Sequence, residues 1–134
     1  MKSDRRSADP AKSAKDYLAE TMPGLLGITG LTVGLVVPDN WTSKSKPHIG
    51  VFDDGGPSRW PVSNRPVLRV TVWANGRTLA REISGACMGA LLAQPIPGIA
   101  NVREPSSILD ARDPHNGGLM ASFTVRTSVR TLPI

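Results

Sequence analysis

The stretch Pro66-Val-Leu-Arg-Val-Thr-Val-Trp-Ala74 decides the fold of this chain. Its apolar residues fall at every second position, namely Leu68, Val70, Val72 and Ala74. The residues between them are Arg69, Thr71 and Trp73. Because successive side chains of a strand point to opposite faces, this pattern predicts a strand with one buried face and one open face. Asn75-Gly76 ends the strand.

Two helices are predicted on either side of this strand. The first covers residues 10–22, with Asp9 as its N-cap and Pro23-Gly24 as its end. The second covers residues 77–93. In both segments apolar residues recur at intervals of three or four, so each helix has one face suited to cover a sheet.

Four further strands are predicted from other alternating runs, over residues 31–37, 48–53, 99–104 and 118–130. Alternation favours antiparallel pairing, since strands of parallel sheets are usually continuous apolar runs. The sequence therefore predicts an α+β fold in which two helices pack on one face of a mostly antiparallel sheet of about five strands. The predicted order is α-β-β-β-α-β-β. Residues 1–9 are expected to form a flexible N-terminal segment, and residues 10–134 a single domain.

Composition excludes several classes of protein. With 134 residues, 40% of them hydrophobic and 20% charged, the chain is unlike collagen, a long coiled coil or a disordered segment. Cys87 is its one cysteine, so it is not a disulfide scaffold. The most apolar stretch, Leu25 to Val37, is shorter than the roughly 20 residues of a membrane helix, and no membrane partner is predicted.

The net charge of +5 has two interpretations. It suits an acidic partner such as nucleic acid. It is also compatible with no such partner, because the basic residues are spread over the chain and form no block.

The sequence has no pattern of a metal or cofactor site. His48 and His115 are far apart in the chain, and Cys87 falls on the apolar face of the second helix. Asp53-Asp54 beside two glycines predicts a turn, because neighbouring strand residues point to opposite faces and cannot jointly chelate Mg²⁺. No metal, cofactor or catalytic residue is therefore predicted.

One loop, residues 105–117, leaves an enzymatic interpretation open. Asp110, Asp113 and His115 can form a carboxylate–imidazole group there. Asp113-Pro114 and Asn116-Gly117-Gly118 are also typical turn sequences, and they favour a structural role for this loop.

The three tryptophans indicate an interface. Trp41 and Trp60 lie in predicted loops, and Trp73 lies on the open face of its strand. They either contact another protein surface or cover the core from loops that fold back, and the sequence leaves both interpretations open. The candidate contact residues are Trp41, Arg59, Trp60, Trp73, Asp110 and Arg112. The candidate residues for facing nucleic acid are Arg69, Arg126 and Arg130.

Several motifs together resemble those of a known family. They are the turn Val51-Phe-Asp-Asp-Gly-Gly56, the strand Val70-Thr-Val-Trp-Ala74, an Ala-rich helix containing Leu91-Leu92, and a long last strand that ends in Arg130. Over roughly residues 10–132 the chain resembles the tail terminator (tail completion) proteins of long-tailed bacteriophages, especially those of actinobacteria.

This resemblance implies a structural virion protein without enzymatic activity. Its subunits would form a hexameric ring on the head-proximal end of the tail tube, at the head–tail junction, after assembly in the host cytoplasm. The ring would end tube polymerisation, with the tube protein and the head–tail connector proteins as partners. DNA would pass through its lumen without sequence-specific binding. On this resemblance the contact candidates would meet neighbouring subunits or the tube, and Arg69, Arg126 and Arg130 would face the lumen or DNA.

Three other functions stay open on the sequence. One is a head–tail connector or stopper protein. Another is a free-standing nucleic-acid-binding α+β domain, which needs a basic patch around Arg69, Arg126 and Arg130. The third is a small enzyme built on Asp110–His115.

Overall fold

Two helices cover one face of a mostly antiparallel sheet in the computed structural model, which describes residues 4–134. The helices are α1 (Pro10–Leu26) and α2 (Arg77–Ala93). The strands are β1 (Arg5–Arg6), β2 (Thr32–Gly34), β3 (His48–Asp53), β4 (Ser58–Arg59), β5 (Ser63–Asn64), β6 (Val67–Ala74), β7 (Asn101–Arg103), β8 (Leu109–Arg112), β9 (Leu119–Arg130) and β10 (Leu132–Pro133). The predicted α+β class is confirmed.

The 12-residue strand β9 lies at the centre of the main sheet. Along one side it pairs with β6 and then, in the same register, with β5. Along the other side it pairs with β8 and β7. All these pairs are antiparallel, as are β3–β6 and β4–β5, whereas β2 pairs with β3 in parallel.

The helices bury the face of the sheet that the alternation predicted. Leu68, Val70 and Val72 of β6 are at most 1% exposed and pack with the apolar faces of both helices. Ile49 of β3 and Phe123 of β9 join them in this core. The opposite face is called the open face below.

Helix α1 is longer than the predicted 10–22. Asp9 caps it by accepting a hydrogen bond from the backbone N–H of Lys12 at 3.1 Å. Pro23 lies within its last turn, where a proline removes only one helical hydrogen bond. The helix ends at Gly27, whose φ of 66° forms a left-handed cap with its N–H bonded to the Pro23 carbonyl.

More strands are present than the predicted five. Two of the additional strands, β4 and β5, form a hairpin between the predicted strands 48–53 and 66–74, and β8 lies inside the predicted loop 105–117. Conversely, β2 is only three residues long, although the alternation predicted a strand over 31–37. It is short because the chain leaves the sheet after Gly34, and the Val36 carbonyl instead accepts a hydrogen bond from His48 Nε2.

Of the predicted N-terminal segment 1–9, residues 1–3 lie outside the described residues, and the structure describes residues 4–9. Arg5–Arg6 pair with Leu132–Pro133 in a second, two-stranded sheet. In addition, the Arg5 side chain donates to the backbone and the hydroxyl of Thr131. These bonds attach the start of the described chain to its end.

Candidate functional site

The open face carries the three arginines that were expected to face DNA. Arg69 lies directly opposite Thr124 across the β6–β9 ladder, and Arg126 and Arg130 follow at even steps along β9. Even-numbered residues of β9 face away from the helices, because the odd-numbered Phe123 and Val125 are in the core. The structure therefore brings Arg69, Arg126 and Arg130 onto one surface.

Two of these arginines are ion-paired at the protein surface. Arg69 Nε lies 3.3 Å from Asp54 Oδ2, and its guanidinium carbon lies 4.4 Å from the centre of the Phe52 ring. Arg126 Nε lies 2.8 Å from Glu104 Oε2. Exposed pairs of this kind contribute about 0–1 kcal/mol to stability, so both guanidinium groups can exchange partners readily.

Trp41 and Trp73 are buried, so the structure does not support them as contact residues. Each is 5% exposed. Trp41 donates its indole N–H to the Lys46 carbonyl at 2.8 Å and packs against Gly118, where any Cβ would overlap its ring. Trp73 lies on the open face as predicted, but His48 and Phe52 flank it. For Trp41, the loop folds back and buries the ring, which was one of the two interpretations that the sequence left open.

Trp60 is the tryptophan that reaches the surface, with 56% of its area exposed. It lies in the turn of the β4–β5 hairpin, next to Arg59 and Val62. Hydrogen bonds from Thr131 to the Pro61 and Val62 carbonyls attach this hairpin to the segment that ends in Leu132 and Ile134. We call the exposed apolar residues of these two segments the hairpin–tail patch; they are Trp60, Val62, Leu132 and Ile134.

Asp110 attaches the edge strand β8 to helix α2. Its two oxygens lie 2.8 Å from Arg77 Nε and 2.9 Å from Arg81 Nη1. The hydrogen bond from Arg81, together with the bond and charge of Arg77, lowers the pKa of the Asp110 carboxyl. Arg112, two residues further, is exposed on the same strand. Of the two contact candidates in this loop, Asp110 is therefore ion-paired within the subunit, whereas Arg112 is exposed and can contact another protein.

Asp113 shapes the turn between β8 and β9. One carboxylate oxygen accepts the backbone N–H of His115, and the other accepts the indole N–H of Trp73, both at 2.9 Å. These two bonds, the first being the stronger influence, lower the pKa of Asp113. Asp110 meanwhile contacts helix α2. The structure therefore does not assemble Asp110, Asp113 and His115 into one carboxylate–imidazole group, and it supports the structural interpretation of this loop.

The other chemically reactive side chains have structural partners. Asp53 accepts the backbone N–H of Gly55 at 2.8 Å, as expected for a turn. Burial raises the pKa of the Cys87 thiol to about 12, so this thiol is a poor nucleophile. Within residues 4–134 no group of three or more His, Cys, Asp or Glu side chains is placed to hold a metal ion.

Several residues of these two surfaces were not predicted from the sequence. Arg103 of β7, which lies directly opposite Arg126, was not singled out. Arg59 was predicted as a contact residue but not as a residue of the open face, where the β4–β5–β9 register places it. Val62, Leu132 and Ile134 were not singled out either. Only pairing between distant segments reveals these positions, because neither the two-residue strands β4 and β5 nor the turn Trp60-Pro61-Val62 has a typical hairpin sequence.

Comparisons with known proteins do not assign a family. No protein-family model matches the chain, and no curated protein matches it. Neither helix of residues 4–134 has the length and apolar character needed to span a bilayer.

Proposed function

We propose that this chain is a structural subunit of a bacteriophage tail. In this proposal its subunits form a ring, six-membered by resemblance, on the head-proximal end of the tail tube. The ring ends polymerisation of the tube protein and provides the joint to the head–tail connector proteins at the head–tail junction of the virion. The chain acts by assembly and not by catalysis.

The observation that carries the proposal is the hairpin–tail patch. Trp60 and Val62 are 56% and 65% exposed, and Ile134 is 82% exposed. Exposed apolar side chains on adjoining segments favour protein–protein contacts, and aromatic residues are enriched in such contacts. The patch joins two chain segments that hydrogen bonds hold together, so it offers a firm surface to a neighbouring subunit or to the tube.

A closed ring requires two different surfaces on each subunit, since each copy contacts its neighbours head to tail. Strand β8 offers a second surface. Among the described residues it pairs only with β9, and all four of its residues are exposed. Leu109, on its open-face side, is 70% exposed. An unpaired strand edge of this kind is well suited to protein contacts.

The architecture is also the one that the resemblance implies. An α+β subunit with two helices on one face of the sheet leaves the open face and the strand edge for contacts outside the subunit.

The deciding experiment is electron microscopy of lysates of a phage that encodes this chain, with the gene deleted. We expect overlong tails of variable length that lack heads, because nothing ends the tube. Supplying the gene from a plasmid should restore tails of uniform length that join heads.

Two other outcomes contradict the proposal. Tails of normal length without heads assign the chain to a connector or stopper role. Intact, infectious particles show that the chain is not needed in the virion.

A further inference from the structure

The open face has more positive charge than the sequence analysis expected. Arg59 lies opposite Ser63, which lies opposite Arg130, so both arginines point to one face about 10 Å apart. Arg103 lies opposite Arg126 on that face. Strands β5 and β6 continue one register along β9, and Arg65 lies in the chain between these two strands. Because side chains alternate, Arg65 points to the same face as Ser63 and Val67, which is the open face.

Few carboxylates compensate this charge. The arginines of the open face are Arg59, Arg65, Arg69, Arg103, Arg126 and Arg130. Asp54 pairs with Arg69, and Glu104 pairs with Arg126. Within the described residues, Arg59, Arg65, Arg103 and Arg130 make no ion pair, so about four positive charges are uncompensated.

The dimensions of this surface match a stretch of duplex DNA. Arg69 lies opposite Thr124, and Thr124 is six residues before Arg130 on β9. The arginines therefore extend over about 20 Å along this strand. Duplex DNA rises about 3.4 Å per base pair, so the surface spans about six base pairs. Between the arginines lie Thr124 and Ser128, whose hydroxyls suit phosphate oxygens. The Ser128 hydroxyl also accepts a hydrogen bond from Arg103 at 2.9 Å.

We propose that the open face binds the phosphate backbone of duplex DNA without reading its sequence, through Arg59, Arg65, Arg103 and Arg130. Guanidinium groups bind phosphate oxygens in a bidentate manner, and arginine is the residue best suited to this contact. The face carries the charges on a fixed sheet, so the spacing of the arginines is preorganised. That the DNA is the genome passing through a ring rests on the proposed function, whereas binding itself does not.

The test is fluorescence anisotropy of a labelled 20-base-pair duplex titrated with the purified full chain, at several KCl concentrations from 20 to 200 mM. Four uncompensated arginines predict a slope of about −3.6 for log affinity against log salt. That slope means a loss of roughly a hundredfold between 50 and 200 mM KCl. Duplexes of unrelated sequence should bind equally well.

Two variants isolate the face. The triple variant Arg59→Gln, Arg65→Gln, Arg130→Gln should reduce the magnitude of the slope by about 2.7. The matched control Lys12→Gln, Lys15→Gln, Arg112→Gln removes the same charge from α1 and the helix side of β8, and should keep the original slope. Replacing Arg59, Arg65 and Arg130 with lysine should restore most of the slope, which shows that any loss in the glutamine variant is a loss of charge and not of folding.

The proposal is overturned if the unaltered chain does not bind the duplex at 20 mM KCl. It is also overturned if the slope of log affinity against log salt falls equally in the triple glutamine variant and in the control. The first result would leave an acidic protein surface as the partner of this face. Tail length in the phage, measured with the glutamine variant supplied, separates the two proposals. If the glutamine variant has lost DNA binding and still gives tails of uniform length, the arginines bind DNA and are not needed to end the tube, which supports the DNA-binding face. If deletion of the gene gives overlong tails but the unaltered chain does not bind DNA, the DNA-binding face alone is refuted.

Discussion

The indole Nε1 of Trp73 donates a hydrogen bond to Asp113 Oδ2 at 2.9 Å. This bond connects the end of the central strand β6 to the turn before β9, 40 residues later in the chain. The indole is buried on the open face, and the Asp113 carboxylate is the acceptor of its N–H.

We expect Asp113→Ala to lower the free energy of unfolding by about 1–3 kcal/mol, because the buried indole N–H is left without a partner. Urea unfolding at pH 7 measures this change. Asp39→Ala, in an exposed position of the neighbouring loop, is the control and should change stability by less than about 0.5 kcal/mol.

The effect of Asp113→Ala should also depend on pH. The pKa of Asp113 is lowered in the folded chain from its ordinary 3.8, so its contribution to stability is present above that value and is lost as the pH falls through the folded pKa. The stability difference between the variant and the unaltered chain should therefore be constant from pH 7 to 5 and narrow below about pH 4. A difference unchanged at pH 3 would show that the carboxylate charge is not involved.

Gly50 allows two aromatic rings to approach the backbone of β3. A Cβ at this position would lie 2.8 Å from the Phe52 ring and 2.9 Å from the Trp73 ring. Gly50→Ala should destabilise the chain by about 1–3 kcal/mol. Gly89→Ala on α2, where a Cβ meets nothing within 4 Å, should stabilise it by about 0.5–1 kcal/mol. Thermal unfolding followed by circular dichroism compares the two, and equal effects of the same sign would contradict this account.

His48 should make stability sensitive to mild acid. Its Nε2 donates to the Val36 carbonyl, which leaves Nδ1 to accept from the Thr32 hydroxyl, as a neutral ring does. Burial lowers the pKa of His48 below its ordinary 6.5. The unfolded chain therefore binds the proton first, and stability should fall as the pH drops below about 6.5.

The variant His48→Gln tests this pH dependence. Its free energy of unfolding should vary less than that of the unaltered chain between pH 7.5 and 5, a range in which the carboxylates stay charged. His115 is present in both proteins and its contribution cancels. Parallel curves over this range would show that His48 is not the titrating group.

Trp60 should affect assembly more than folding. Because more than half of its area is exposed, Trp60→Ser should lower the free energy of unfolding by no more than about 1–2 kcal/mol, which leaves the chain folded. The same variant should fail to restore uniform tail length in the deletion phage. Leu25→Ser removes an equally exposed apolar side chain from the end of α1, outside the hairpin–tail patch, and should restore tail length fully. If both variants restore it, the patch is not a contact surface.

The elements that the sequence predicted well have local signals. Strand β6 and helix α2 are close to the predicted 66–74 and 77–93, because alternation, Asn75-Gly76 and helical spacing all act within a few residues. The covered face of β6 followed from the same alternation. The placement of Arg69, Arg126 and Arg130 on one face also followed, since each lies on a strand with a clear period.

The elements that were missed depend on distant partners. Strand β8, Leu-Asp-Ala-Arg, has only four residues, all of them exposed, which is too short a run for its alternation to be recognised. It is a strand because the outer side of β9 offers it hydrogen bonds. For Trp41 the sequence left a contact role and a buried position both open, because nothing near it in the sequence indicates Gly118, against which it packs. Tertiary contacts, not propensity, decide both cases.

Strand β9 pairs with four strands that all precede it in the chain. During synthesis, β5, β6, β7 and β8 leave the ribosome before the strand that joins them exists. Ala74 pairs with Leu119 and Val67 pairs with Arg126, so the partners are about 50 positions apart in the chain. The nascent chain can form its helices and the β3–β6 pair, but the sheet closes only in one late step. Such non-local pairing is slow, with folding times in the range of about milliseconds to seconds. Until β9 arrives, the apolar face of β6 depends on the helices alone for protection from other chains.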